Sequence, residues 1–210
     1  MLTAVPDDVL RLIVGACSLR ARLSLAATCR AMRDLVAAAP LPAVTLTCRQ
    51  ASGAVRWMLS PGISHRVTVL VAKRCLYGAC RWTARFDGLR DLALHFCRVR
   101  ACMFDFLPQT VQRLDVHQLL PSPGMASQRL SLRRLPALRS LRLVLCAPAW
   151  NAAFLAKLPA DVRELRVRGA RALVIESRLP RRLEDLNLQA SSMLLTCNRA
   201  PSGLRSLRLR

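Results

Sequence analysis

The sequence predicts an α/β chain: a short helical segment over residues 1–40, then a solenoid over residues 41–210 with a parallel sheet on its concave face. Two observations carry that prediction. An apolar-x-x-apolar-x-apolar motif returns at nearly one period through the long segment, and the first forty residues lack it, showing helical spacing instead.

The motif stands at Leu89-Leu92-Leu94, Val111-Leu114-Val116, Leu138-Leu141-Leu143, Val162-Leu165-Val167, Leu183-Leu186-Leu188 and Leu204-Leu207-Leu209. Successive first members lie 22, 27, 24, 21 and 21 residues apart. Weaker copies precede them at Leu41-Val44-Leu46 and Val67-Leu70-Ala72, giving six to eight repeats. Within each copy, an alternating pair such as Leu92 and Leu94 projects to one face of a short strand. One strand cannot bury that face. Parallel copies stacked side by side turn isolated leucines into a continuous core. Leu-Pro steps at Leu107-Pro108, Leu135-Pro136, Leu158-Pro159 and Leu179-Pro180 break the return segments, because proline restricts both itself and the residue before it. Pro121-Ser122-Pro123-Gly124, inside the longest copy, reads as a loop excursion. Asn151, followed by Phe154, Leu155 and Leu158, predicts a short capped helix in a return segment. The last strand leucine, Leu209, is followed only by Arg210, so a polar closing cap is expected to be missing: either the chain is truncated relative to its relatives, or the open edge is covered by a partner or by self-association.

This pattern resembles the leucine-rich repeat over roughly residues 41–210. In that family a small or amide-bearing residue sits three positions after the last strand leucine. The resemblance places Cys75, Cys97, Cys146, Ala170 and Ser191 there, as buried packing residues, with Leu119 departing from the pattern. Cys80 and Cys102 then occupy one equivalent convex position in adjacent repeats. The spacing Cys75, Cys80, Cys97, Cys102 also has the form of a four-thiolate zinc site, but the 22-residue offset between the pairs is the repeat itself, and no metal is expected.

In the first forty residues, Pro6 with Asp7 and Asp8 opens a helix, since proline suits the first turn and acids favour the positive end of the dipole. Val9, Leu10 and Ile13 form its apolar face. Ser18 caps a second helix bearing Leu19, Leu23 and Ala26, and Cys29, Met32 and Val36 space a third. Three short helices in so few residues leave apolar groups in need of a partner surface.

The segment resembles an F-box. The family's Leu-Pro-acidic opening corresponds to Val5-Pro6-Asp7, its first-helix apolar positions to Val9, Leu10 and Ile13, and its Leu-x-Leu to Leu23 and Leu25. Its Val-Cys-basic-x-Trp signature corresponds to Thr28-Cys29-Arg30-Ala31-Met32, with Val5, Thr28 and Met32 as departures. An F-box followed by leucine-rich repeats implies a non-catalytic, two-ended adaptor of a Skp–cullin–F-box ubiquitin ligase, acting in the cytoplasm or nucleus. The helices dock a Skp-type adaptor through Val5, Pro6, Val9, Leu10, Ile13, Leu23, Leu25, Cys29 and Met32, or use those residues as the box core, and the repeats hold a target protein. A repeat scaffold without ligase association is the alternative.

Composition narrows the field. The chain carries 33 Lys+Arg against 12 Asp+Glu, a net charge of +21, of which +2 falls on residues 1–40 and +19 on residues 41–210. That excess raises nucleic acid as a further partner. It is the less favoured one, because stacking aromatics are few and the Arg-rich, Lys-poor usage also fits a GC-rich coding sequence. No uncharged apolar run reaches the ~18 residues of a membrane-spanning helix, and Asp7 and Asp8 stand where an export signal is apolar. Nine cysteines, an odd number, argue against a disulfide framework. Phosphate loops, His-x-x-x-His pairs and Gly-x-Ser-x-Gly elbows are missing, so neither catalysis nor a cofactor is expected.

Residues interleaved with the strand leucines face the concave surface. They include Asp91 beside Arg113, a pair suited to cross-strand compensation, and His95 beside His117. Arg142, Arg166 and Arg168 lack obvious acidic neighbours, and planar bidentate bonding makes them the candidate contacts to an acidic target.

Overall fold

The computed structural model of the chain describes residues 6–38, 41, 43–47, 64–74, 83, 85–97, 104, 106–119, 127–145, 152–156, 158–175, 178–195 and 201–210. Three helices come first: α1 (Asp7–Ala16), α2 (Leu19–Thr28) and α3 (Arg30–Ala38). Pro6 occupies the N-cap of α1 with φ −56°, the angle its ring imposes. Ser18 Oγ accepts the Ala21 N–H at 3.3 Å to cap α2. Val14, Ala26, Met32 and Val36 are buried against one another, flanked by Leu25 and Leu35. Arg22, wholly buried, donates from Nη2 to the Gly15 carbonyl at 2.7 Å and from Nε to the Cys17 carbonyl at 3.1 Å. Its cation thereby satisfies carbonyls at the negative end of α1 and clamps that helix to α2, although burial pushes its pKa below the ordinary value.

Ten strands follow among the described residues: β1 (Val44–Thr47), β2 (Val69–Lys73), β3 (Asp91–His95), β4 (Arg113–Leu119), β5 (Ser127–Ser131), β6 (Ser140–Leu145), β7 (Ala152–Ala156), β8 (Glu164–Ile175), β9 (Asp185–Leu195) and β10 (Ser206–Leu209). All described pairings are parallel. The architecture is a solenoid. One ladder runs β1-β2-β3-β4-β6-β8-β9-β10, and it aligns the middle apolar residues of the eight motif copies in a single file: Val44, Leu70, Leu92, Leu114, Leu141, Leu165, Leu186 and Leu207. From Val44 to Leu186 that file is at most 2% exposed. Those seven side chains therefore lie in one continuous core.

The approach to each strand is also repeated. A turn bond runs from Leu89 N–H to Phe86, Val111 to Pro108, Leu138 to Leu135, Val162 to Pro159, Leu183 to Pro180 and Leu204 to Pro201, at 3.0–3.4 Å. The next carbonyl position, at Thr68, Arg90, Gln112, Arg139, Arg163 and Glu184, accepts two N–H groups from the following repeat at 2.7–3.1 Å. Both features depend on the backbone alone, which leaves the side chains of these turns free to vary.

A second parallel ladder joins β5, β7 and the later halves of β8 and β9. β8 and β9 thus belong to both ladders, with a register shift between Arg168 and Ala170. Gly169 sits at that corner with φ +88°, and a Cβ there would lie 2.2 Å from the Leu145 carbonyl oxygen. Only glycine fits. At the end of the preceding strands the corner is taken by Arg74, Phe96 and Gln118, with φ of 56–57°.

Two expectations need correction. Residues 152–156 are strand, not helix: their backbone groups are flanked by β5 on one side and β8 on the other, so ladder pairing overrides apolar spacing that suits either state. Ser191 is exposed, because the bulge at Gly169 makes Ala190, not Ser191, the partner of buried Ala170. Cys97 is buried as expected, its Sγ 3.6 Å from the Ala72 carbonyl and 3.5 Å from that of His95. The excursion at 121–124, Asn151, Cys75, Cys80, Cys102 and Cys146 lie outside the described residues.

Candidate functional site

The helical trio and the open face of the long ladder carry the candidate residues. On α1, Val9 is 43% exposed, Ile13 50% and Leu12 74%, a contiguous apolar stripe facing away from buried Val14. Pro6 is exposed beside it and Leu10 is half-buried. Leu23 lies on α2, while Leu25 is half-buried against the trio's small core. Cys29 is exposed and its Sγ accepts the Met32 N–H at 3.5 Å, while Met32 itself is buried inside the trio. Val5 lies outside the described residues. Of the docking set, Pro6, Val9, Ile13 and Cys29 therefore face outward, and Leu25 and Met32 hold the helices together. Leu12 was missed because the spacing of Val9, Leu10 and Ile13 accounts for a helix face without it.

On the open face, the residues between the core leucines form three rows along the stack. Asp91 and Arg113 approach to 3.9 Å, the cross-strand pair the sequence anticipates. Arg142 stands 3.8 Å from Asp115 Oδ2, and Asp115 Oδ1 is buried without a hydrogen bond among the described residues. Arg166 is held much more firmly. It reaches Glu164 at 2.7 Å and Asp185 at 2.6 Å, and the bond to Asp185 raises its pKa above the ordinary value, with burial opposing and the two carboxylate charges assisting. Ser140 Oγ donates to the second oxygen of Glu164 at 2.7 Å. Register explains this: Glu164 precedes Arg166 by two residues on the same face, and Asp185 is paired with Glu164 on the next strand.

Arg168 has no acidic partner among the described residues. It borders a recess of about 230 Å³ with His117, Leu143, Val144, Arg142 and Arg166. The structure thus brings the three arginines named from sequence to one place and ranks them. Arg166 is neutralised by two carboxylates, Arg142 is loosely engaged, and Arg168 is open. At the recess rim the His117 ring lies 5.8 Å from that of His95 and 6.4 Å from that of Phe96.

No cluster of three or more His, Cys, Asp or Glu side chains suited to a metal occurs among the described residues, and no described helix is long and apolar enough to cross a membrane. Comparison with protein-family models, with curated proteins and with solved structures gives no match to this chain.

Proposed function

We propose that the chain is a two-ended protein-binding adaptor, an F-box/leucine-rich-repeat substrate receptor of a Skp–cullin–F-box ubiquitin ligase, working without catalysis or cofactor in the cytoplasm or nucleus. The observation that carries the reading is the exposed stripe Val9, Leu12 and Ile13 on a helical trio that buries four apolar side chains among the described residues. Such a stripe in a unit this small is stabilised by burial against another subunit. At the other end, the recess holding Arg142 and Arg168 suits an acidic segment of the target.

The test is capture of a purified Skp-type adaptor by the full chain. Ile13→Asp places a charge in the stripe without touching the buried cluster, and it should lower capture at least tenfold while far-UV circular dichroism is unchanged. Undiminished capture, or none by the unmutated chain, would overturn the ligase reading.

A further inference from the structure

The large positive charge is not where the target-binding reading uses it. Among the described residues, the outward positions of the long ladder carry six cations against four acids, and most of these compensate one another. The turns leading into the strands are different. Residues 85–90, 108–112, 133–139, 159–163, 178–184 and 201–205 carry ten arginines, every one exposed, against Asp87, Asp161 and Glu184. These six turns stack one per strand from β3 to β10, so the edge they form spans five strand spacings of about 4.8 Å, roughly 24 Å.

The few acids engage that edge only partly. Arg182 reaches Asp161 at 2.7 Å, but Arg163 and Arg205 share Glu184 at 3.7 and 3.9 Å, beyond hydrogen-bond length. Arg85, Arg90, Arg133, Arg139 and Arg181 have no carboxylate partner among the described residues. At the C-terminal end, Arg163, Arg181, Arg182 and Arg205 line a cleft of about 430 Å³ together with Glu184, Ser202 and Gly203. Few apolar groups share this surface: among the described residues of these turns Pro136 and Ala160 are exposed, and Ala137, Leu179, Pro201 and Leu204 are half-buried. Phe86, Leu89, Val111, Leu135, Leu138, Val162 and Leu183 are all fully buried beneath it.

A specific protein interface has an apolar, desolvated centre, and this edge offers none. Single-stranded nucleic acid is gripped through aromatic stacking, and no exposed aromatic lies in these turns. A duplex backbone needs neither: it presents a phosphate charge about every 1.7 Å, or roughly fourteen over such a length. We infer that the turn edge of the solenoid binds the phosphate backbone of double-stranded nucleic acid, without reading base sequence, at a surface separate from the open face and the α1 stripe. Guanidinium groups left unbonded by Glu184 supply the donors, and the cleft at Arg181 seats a phosphate.

Fluorescence anisotropy of the full chain with a labelled generic 20-base-pair duplex, titrated between 50 and 200 mM salt, tests this. The expected slope of log affinity against log salt is about −4 to −6, corresponding to five or six phosphate contacts. Replacing Arg163, Arg181, Arg182 and Arg205 together by Gln should weaken binding at least tenfold and flatten the slope by about 3. Arg133→Gln with Arg134→Gln, farther along the edge, should give a smaller loss in the same direction. Arg142→Gln with Arg168→Gln should change binding less than twofold. Equal losses from the open-face pair, a flat salt response, or poly-glutamate competing as well as duplex at matched charge would each overturn the inference.

Discussion

The helical trio and the solenoid solve the problem of a small core in opposite ways. In the trio four apolar side chains are buried among the described residues, and Val9, Leu12 and Ile13 of α1 stay outside. In the solenoid each strand contributes two or three residues that are worthless singly, and stacking seals them into one cluster running from Val44 to Leu188. The trio's fastening is correspondingly polar: Arg22 ties α1 to α2, and Arg33 Nε donates to the Ala26 carbonyl at 3.3 Å to tie α3 to α2. Between the two regions, the Arg66 guanidinium donates to the Ala38 carbonyl. The contrast teaches that apolar burial is concentrated in the repeats, and that the trio leaves an apolar stripe exposed.

The largest effect that sharpens this contrast is expected in the ladder. Leu141→Ala empties a fully buried site flanked by Leu114 and Leu165, and should cost about 2–5 kcal/mol in denaturant titration. Peptide-resolved amide exchange should show the loss in the strands and leave α1–α3 unchanged; equal loosening of the helices would mean that the two regions unfold as one. Arg22→Met keeps the aliphatic stem but strands the Gly15 and Cys17 carbonyls, at a cost of about 2–3 kcal/mol confined to the helices by the same measurement. Smallest is Leu12→Ser, which removes an exposed side chain and should shift stability by less than about 0.5 kcal/mol. A clear destabilisation there would show that the stripe already has an internal partner.

The long ladder was legible because Leu-x-x-Leu-x-Leu encodes both strand and register, and all eight copies align as the sequence spaces them. The second ladder was not. In residues 152–156 the run Ala-Ala-Phe-Leu-Ala fits helix and strand alike, and only the neighbouring strands decide between them. The clustering of Arg142, Arg166 and Arg168 followed from the repeat, but the neutralisation of Arg166 needed a diagonal reading, from Glu164 on its own strand to Asp185 on the next. The turn edge is hidden in the sequence for a related reason. Its arginines are scattered in sequence, and they converge only when consecutive turns are stacked.

The shared corner at Gly169 has a mechanical consequence. By running through both ladders, β8 and β9 keep ten residue pairs among the described residues, whereas β1–β2 and β9–β10 keep four each. Under tension along the stack, the ladder would open at either end, at β1–β2 or β9–β10, and the β8–β9 seam would part last. A load transmitted through the helical trio would therefore fall first on the short β1–β2 seam and spare the long β8–β9 one.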